Sequence, residues 1–259
     1  MWKHVAQSVV GSGHLDHGLP CQDACSVKEG PLGSDLIFAV SDGAGSASHS
    51  EAAAKLSVEL LMEEISSARG GPEDDTLTWI RDVYRKIRLR LAQEAEKCAV
   101  AEREFSCTLL GGYLSERMSW VCQVGDGAIV VSDAIGYVPI TWPSSGEYAN
   151  LTTFVTSPDW EDVFQFKSLP SLPRAVAAFT DGLQDLILLN ADRTVHGGFF
   201  DPLFGRLREA QDAATLAEPL AHFLSSRAIL ERTDDDKTLV LICRRENSPD
   251  TFYQDRPTD

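Results

Sequence analysis

The hydrophobic pattern divides the first part of the chain into short apolar runs and two long helical segments. Strand-like runs are predicted at 5–10, 25–27 and 36–40. At 50–68 and 76–101 apolar residues recur instead at helical spacing, with Gly70-Gly71-Pro72 between the two segments. The pattern therefore predicts strands followed by two long helices.

Strand-like runs return at 106–114, 119–124 and 128–132, separated by short turns, which predicts an antiparallel meander. Residues 137–167 have a mixed pattern, and we expect a loop-rich excursion over one sheet edge. The remaining elements are predicted as a strand at 175–179, amphipathic helices at 183–190, 202–210 and 214–226, and a closing strand at 237–243. This order indicates a single α+β domain at 1–245, with antiparallel sheets covered by helices and a polar tail at 246–259.

Composition narrows the class of protein further. A chain of 259 residues with 43% hydrophobic content can bury a substantial core. Its 39 acidic residues exceed its 23 Lys and Arg, and a net charge of -16 argues against binding nucleic acid or anionic membranes. No apolar run has the length of a signal peptide or a membrane span, so we expect a cytoplasmic protein.

The cysteines point to the same compartment. Six of them are scattered along the chain, mostly in apolar strand-like runs, and none forms a CxxC pair. A zinc site built from such pairs is therefore not predicted. We expect reduced thiols within the core.

One arrangement recurs at the ends of apolar strands, where an Asp precedes a Gly at Asp42-Gly43, Asp126-Gly127 and Asp181-Gly182. A single Asp-Gly pair after a strand is a favoured turn and carries little information. Three of them, together with Asp23 and the acidic triplet at 234–236, indicate more than turns. Strand ends are rigid and can hold carboxylates at the fixed separations that a hard divalent cation requires, and Gly lets its own carbonyl approach the ion.

These residues lie within an ordered series of segments that reads CQDA, VSDGAGS, FSCTLLGGYL, VGDG, FTDGL and DDDKTLVL. In order and spacing the series resembles the signature of the type 2C serine/threonine protein phosphatases, and it covers about residues 4 to 245. The resemblance implies a four-layer α/β/β/α sandwich of two antiparallel sheets flanked by helices. It also implies hydrolysis of phosphoserine and phosphothreonine in proteins by a metal-activated water.

The resemblance also implies a set of metal ligands, which are Asp23, Asp42, Gly43, Asp126, Asp181 and Asp235. Asp42 would bridge two ions, with the Gly43 carbonyl serving one of them and Asp181 and Asp235 completing the other. Asp23 would support the site from the first hairpin. Asp126 would hold a weaker third ion, or it simply shapes a hairpin turn. Mn²⁺ or Mg²⁺ is the expected cofactor because oxygen-rich sites suit hard ions.

Three positions depart from the commoner pattern of the family. Gln22 replaces an acidic residue before Asp23, and Ala44 stands where many members have a His that donates a proton. An Arg that grips the substrate phosphate is absent from the segment at 14–19, where His14 and His17 are candidates to supply charge or a proton instead. His14 is preferred because it follows Gly13, where the first strand is predicted to end.

The expected partners are a phosphorylated protein substrate and a cognate Ser/Thr kinase. The three departures keep a second hypothesis open, a catalytically weak protein of the 2C fold that binds and regulates a phosphorylated partner. A generic acidic binding domain is a more distant third, and tight stoichiometric binding of a divalent metal would exclude it.

Overall fold

A computed structural model describes residues 2–132, 136–144 and 152–244 of the chain. Its strands are β1 (Trp2–Val9), β2 (Ala24–Glu29), β3 (Leu36–Ser41), β4 (Leu109–Leu114), β5 (Ser119–Val124), β6 (Ala128–Ser132), β7 (Tyr137–Pro139), β8 (Gln165–Leu169), β9 (Ala175–Phe179), β10 (Leu188–Leu189), β11 (Thr194–Val195) and β12 (Lys237–Arg244). Its helices are α1 (Ser12–Asp16), α2 (Ser50–Ser67), α3 (Thr76–Lys97), α4 (Trp160–Val163), α5 (Gln184–Ile187), α6 (Gly197–Glu209), α7 (Ala217–Leu224) and α8 (Arg227–Leu230). Short 3₁₀ turns lie at Glu102–Phe105, Asp181–Leu183 and Ala213–Leu216.

The strands form two five-stranded sheets and one small ribbon. One sheet has the order β1-β12-β9-β6-β7, the other has the order β2-β3-β4-β5-β8, and β10 pairs with β11. Every neighbouring pair is antiparallel. The predicted antiparallel sheets are thereby confirmed.

The alternation of side chains along β3 shows how the layers are built. Leu36, Phe38 and Val40 point between the two sheets, where they meet apolar side chains of β6, β9 and β12. Ile37 and Ala39 point to the opposite face and join the core beneath α2 and α3. Because both faces are buried, the strand reads as a continuous apolar run rather than an alternating one.

The second sheet is covered in the same way on its outer face. Phe179 and Leu241 of that sheet pack in one core with Phe200 and Phe204 of α6 and with Leu224 of α7. Two helical layers therefore enclose two sheets, and the expected four-layer α/β/β/α sandwich is confirmed.

The predicted meander is wrong beyond its first pair. β4 pairs with β5, but β6 lies in the other sheet between β9 and β7. Gly125 makes the crossing possible, since its φ of 116° is a conformation open mainly to glycine. A Cβ on that residue would also lie 2.4 Å from Cβ of Thr108. The turn at 125–127 therefore joins two sheets rather than two paired strands.

Other elements differ in detail from the expectation. The excursion at 137–167 contains β7, α4 and the start of β8, and β8 pairs with β5 at the sheet edge. The helix predicted at 183–190 is a single helical turn, α5, that follows a 3₁₀ turn and leads into β10. Helix α1 was not predicted, because five residues flanked and interrupted by glycines carry no helical periodicity.

Two regions named in the sequence analysis lie outside the described residues, which are 145–151 within the excursion and the tail at 246–259. Among the helices of the described residues, none has the length and apolar character needed to cross a membrane.

Candidate metal centre

Strand direction brings the predicted site residues to one end of the sandwich. β3 and β5 run the same way, because each is antiparallel to β4, so Asp42 and Asp126 follow their strands at the same end. The chain enters the other sheet there through β6, whose antiparallel neighbour β9 ends two residues before Asp181. β12 starts at this end, β1 finishes there, and β2 begins there immediately after Asp23.

Three carboxylates meet at this end. Asp42, Asp126 and Asp181 each offer an oxygen, and these oxygens all lie within 4.8 Å of one another. They come from both sheets, so the packing of one sheet on the other sets their separation. Each of the three is partly exposed, which leaves the group open to solvent on one side.

The backbone at Asp42 is fixed by the neighbouring segment before β4. The Asp42 N–H donates to Thr108 Oγ1 at 2.9 Å, and the Asp42 carbonyl accepts from the Thr108 N–H at 2.8 Å. A Cβ on Gly43 would lie 2.7 Å from the Ser50 carbonyl and 2.8 Å from the Gln22 carbonyl, so only glycine fits there. Asp42 therefore stands on an immobile turn.

Asp23 lies deeper than the three clustered carboxylates and is only 4% exposed. Its Oδ2 accepts hydrogen bonds from Thr238 Oγ1 at 2.7 Å and from Thr180 Oγ1 at 2.8 Å. Burial raises its pKa to about 7 despite these two donors. The negative charge of Asp23 in turn acts on Asp42.

Burial and mutual repulsion raise the pKa of every carboxyl in the cluster. Asp42 has its pKa raised well above the ordinary value by burial, then by the charges of Asp23 and Asp181. The pKa of Asp181 rises to about 7 through burial and the charges of Asp126 and Asp235. Burial also raises the pKa of Asp126. Because these pKa values are raised, a cation at this site would compete with protons for the carboxylates.

Several buried oxygens at this end have no hydrogen-bond donor within the described part of the chain. They are Gln22 Oε1, Asp23 Oδ1, Asp126 Oδ1 and Asp181 Oδ1. Buried polar atoms are normally paired, because leaving one without a partner costs about 1–3 kcal/mol. A concentration of unpaired acceptors in one place, all oxygen, fits a hard divalent cation.

The acidic triplet before β12 separates into different environments. Asp235 is exposed, and its charge helps to raise the pKa of Asp42, Asp126 and Asp181, so it lies within reach of the cluster. Asp236 is buried, and its two oxygens accept from the Gly11 N–H at 2.6 Å and the Gln22 N–H at 2.5 Å. The protein itself therefore occupies both oxygens of Asp236.

The two candidate histidines lie on or next to α1 but have different surroundings. The His14 ring is 16% exposed, and its Nδ1 lies 2.9 Å from Asp236 Oδ2. The His17 ring is exposed, and its Nδ1 lies 2.8 Å from the Gly13 carbonyl. His14 therefore faces the acidic end of the sandwich, whereas His17 bonds back onto its own helix.

Sequence reasoning missed four residues of this centre: Thr180, Asp236, Lys237 and Thr238. Lys237 is fully buried and donates from Nζ to the Asp235 carbonyl at 2.7 Å, and burial lowers its pKa. The available signal was the interruption of two apolar strands by polar residues at the same end of the sheet. Their partners were not readable, since Thr180 and Thr238 meet Asp23 from more than 150 residues away along the chain.

Comparison with known proteins agrees with this geometry. Residues 10–225 match the sequence model of a family described as protein phosphatase 2C. The chain is 42% identical to serine/threonine-protein phosphatase 3 of Escherichia coli strain K12 over 251 residues, which cover 93% of this chain and 97% of that protein.

Solved structures give the same fold at low sequence identity. A bacterial serine phosphatase superposes with a TM-score of 0.68 at 16% identity, covering 96% of this chain and all of that one. Serine/threonine phosphatase Stp1 from Staphylococcus aureus superposes with a TM-score of 0.66 at 18% identity, covering 95% and 96% of the two chains. The sequence match, the fold and the acidic centre agree, and the chain belongs to the protein phosphatase 2C family.

Proposed function

We propose that this protein hydrolyses phosphoserine and phosphothreonine in phosphorylated proteins, using divalent metal ions held at the centre around Asp42. The observation that carries the proposal is the group of carboxylates that converge from both sheets, several of whose buried oxygens have no hydrogen-bond donor among the described residues. Metal dependence is a property of the family, and the relative at 42% identity is named a serine/threonine-protein phosphatase. The hypothesis of a regulator without turnover is not favoured by these comparisons.

Each carboxylate has its own proposed role. Asp42 would be the central ligand of the ions, because its carboxylate oxygen lies within 4.8 Å of those of Asp126 and Asp181. Asp181 and Asp235 would serve one ion, and the Gly43 carbonyl the other. Asp235 is favoured over Asp236, since the oxygens of Asp236 already accept two backbone hydrogen bonds.

The two remaining carboxylates would support the centre from its sides. Asp23 would act from beneath, where Thr180 and Thr238 hold one of its oxygens and leave Oδ1 free to accept. Asp126 would hold a third, weaker ion, with one oxygen fixed by the Thr152 hydroxyl and the other without a donor.

The expected ions are Mn²⁺ or Mg²⁺, in keeping with the all-oxygen donor set. Such ions supply an acidified water and positive charge that neutralises the phosphoryl oxygens. The contribution of the chain is to hold the ligands on rigid strand ends, so that little reorganisation is needed when substrate binds.

We propose that His14 supplies the contact to the substrate phosphate that an Arg makes in many relatives. Its ring lies at the acidic end, and Nε2 lies near Gly45 in the loop after Asp42, 3.9 Å from where a Cβ on that glycine would stand. A protonated imidazole there can donate from Nε2 to a phosphoryl oxygen. His17 remains the alternative.

A thiol mechanism finds no support in the surroundings of the cysteines. Burial and the charges of Asp23 and Asp236 raise the pKa of the Cys21 thiol well above its usual range, although Cys21 is the cysteine that precedes the metal-site hairpin. Burial also raises the pKa of Cys25 and of Cys107. A thiol held in its neutral form is a poor nucleophile.

We further propose that residues 1–245 act as one catalytic domain in the cytoplasm, on a substrate phosphorylated by a cognate Ser/Thr kinase. The free thiols of Cys21, Cys25, Cys98, Cys107 and Cys122 suit a reducing compartment. The kinase is inferred from the chemistry alone, because a phosphatase for Ser and Thr needs an enzyme that installs those phosphates.

The direct test is turnover of a phosphothreonine peptide and of a small aryl phosphate by the purified protein. We expect hydrolysis with Mn²⁺ or Mg²⁺, loss of it after chelation, and recovery when metal is restored. Alkylation of the accessible cysteines should leave the rate unchanged. A rate that survives chelation would overturn the metal mechanism, and strong inactivation by alkylation would favour a thiol nucleophile.

A further inference from the structure

Asp236 is a carboxylate at the acidic end of the sandwich that has both oxygens engaged by the protein. It is 2% exposed and accepts one backbone N–H on each oxygen, from Gly11 at the start of α1 and from Gln22 before β2. Both donors lie more than 200 residues before Asp236 in the sequence. The carboxylate therefore fixes the start of α1 relative to the hairpin that carries Asp23.

The same carboxylate is the polar neighbour of the His14 ring. His14 Nδ1 lies 2.9 Å from Asp236 Oδ2, although the angle falls short of a regular hydrogen bond. Nδ1 is buried and has no other hydrogen-bond partner within the described part of the chain. The opposite ring nitrogen, Nε2, points to the loop after Asp42, near Gly45.

We propose that Asp236 is a positioning residue that orients His14 for the phosphate contact. By accepting a hydrogen bond from Nδ1–H, Asp236 fixes the ring plane and leaves Nε2 facing the substrate, where the protonated ring donates from Nε2–H to a phosphoryl oxygen. The inference rests on the proposed role of His14 in the phosphatase reaction. It adds a function for Asp236, whose two oxygens each accept a backbone hydrogen bond.

The main chain around the pair gives it a rigid base. The Gly13 N–H donates to the Asp234 carbonyl at 2.9 Å, and the Leu19 N–H donates to the His14 carbonyl at 2.9 Å. A Cβ on Gly11 would lie 2.3 Å from the Asp234 carbonyl oxygen, so the two segments are in direct backbone contact. The His14 backbone is thus held from both sides, and the carboxylate needs only to orient the ring.

The first test reads the ring directly in the unmodified protein. In ¹⁵N-histidine-labelled protein, two-bond ¹H–¹⁵N spectra distinguish the two neutral tautomers, and the His14→Gln variant identifies the His14 signals. We expect neutral His14 to carry its proton on Nδ1. A neutral ring protonated on Nε2 would overturn the proposal, because Asp236 would then not be its acceptor.

The second test uses kinetics with a phosphothreonine peptide and saturating Mn²⁺. Asp236→Asn should lower kcat/KM by about tenfold or more, the scale of one hydrogen bond to a charged group. The loss should fall on the same parameter, KM or kcat, as in His14→Ala. In the His14→Ala background, Asp236→Asn should have little further effect, because the ring through which it acts is gone.

Asp234→Asn is the matched control, since it removes an exposed carboxylate from the same triplet. We expect wild-type kinetics from it. If Asp236→Asn lowers activity equally with and without His14, or removes the metal-dependent rise in Tm, Asp236 acts only on the fold or on the metal centre and the proposal fails. If wild-type protein shows no metal-dependent turnover, the proposed function fails, while the tautomer measurement still decides whether Asp236 orients the ring.

Discussion

Two kinds of carboxylate lie at the same end of this sandwich. Asp236 accepts a backbone N–H on each oxygen, and an imidazole nitrogen lies 2.9 Å away. Asp42, Asp126 and Asp181 face one another instead, and Asp126 and Asp181 each keep an oxygen that has no donor among the described residues. Both environments lie at the same acidic end. Asp236 already has its hydrogen-bond donors, whereas the three clustered carboxylates still need a proton or a cation.

The difference shows what distinguishes a structural acid from a metal ligand. A carboxylate that accepts hydrogen bonds from the protein is stabilised in its charged form and needs no other partner. A buried carboxylate that faces other carboxylates has a raised pKa and must bind either a proton or a cation. The predictions below separate these two groups by metal binding, by pH and by activity.

The largest effect is expected from Asp42→Asn. Because Asp42 belongs to the carboxylate group and the charges of Asp23 and Asp181 both act on it, the substitution should lower metal-dependent activity by about 10³-fold or more. The metal-free protein should be as stable as wild type or slightly more stable, since one repelling charge is removed. Thermal melts with and without Mn²⁺ should show that the metal-dependent rise in Tm is lost or greatly reduced.

Asp185→Asn provides the control for Asp42→Asn, because it removes an exposed carboxylate only four residues after Asp181. It should retain both turnover and the rise in Tm. If Asp42→Asn also retained both, Asp42 would only shape the turn after β3, and the metal assignment would lose its central ligand.

The stability of the metal-free protein should depend on pH. Asp23 and Asp181 have folded-state pKa values raised to about 7 from a reference of 3.8, so between these values the folded chain holds protons that the unfolded chain releases. The contribution of these groups to stability is therefore lost as pH rises through that window and regained as pH falls. We expect Asp181→Asn to gain stability relative to wild type, without metal, as pH is raised from about 5.5 to about 7.5.

Metal should reverse this trend, because it binds the deprotonated carboxylates in competition with protons. The rise in Tm caused by Mn²⁺ should therefore grow with pH over the same window. Differential scanning fluorimetry of wild type and Asp181→Asn at matched pH would measure both effects. Parallel curves for the two proteins without metal would contradict the raised pKa of Asp181.

A smaller effect is expected from Asp126→Asn. The substitution keeps the turn preference and an oxygen for the Thr152 hydroxyl, but it removes one charged ligand from the edge of the cluster. We expect activity to fall by about tenfold at limiting Mn²⁺ and to recover as Mn²⁺ is raised. Metal titrations of the rate would measure the shift. Superimposable titrations for variant and wild type would show that Asp126 only shapes the link between the sheets.

The sequence predicted the strands of the metal centre because the relevant signals are local. An apolar run that ends in Asp-Gly predicts both a strand and a carboxylate at its end, as at Asp42 and Asp181. The same signal failed at 125–127, where the turn leads into the other sheet. Whether β6 pairs with β5 or with β9 depends on distant strands that compete for the same edge, and no local pattern records that choice.

The different roles of Asp235 and Asp236 within the acidic triplet could not be predicted from the sequence either. The resemblance to the family pattern selects Asp235 over Asp236, but the role of Asp236 depends on Gly11, Gln22 and His14, all of which lie far away along the chain. Helix α1, which carries His14, is too short to show periodicity. Local patterns placed the carboxylates at one end, whereas tertiary contacts decide which carboxylate meets donors and which meets another acid.

The smallest effect is expected from His17→Ala, and it sharpens the comparison because His17 lies three residues from His14. Its ring is exposed, and its Nδ1 contacts only the Gly13 carbonyl at 2.8 Å within the described residues, so no buried carboxylate orients it. Removing the ring should leave kcat/KM within about twofold of wild type and change stability by less than about 0.5 kcal/mol.

His14→Ala should instead lower kcat/KM by about tenfold to a thousandfold, because it removes a donor to the phosphate. Phosphopeptide kinetics of both variants at several pH values between about 6 and 8 decide the matter. A strong loss in His17→Ala with wild-type rates in His14→Ala would transfer the phosphate contact to the exposed histidine, and orientation by a buried carboxylate would then have no part in it.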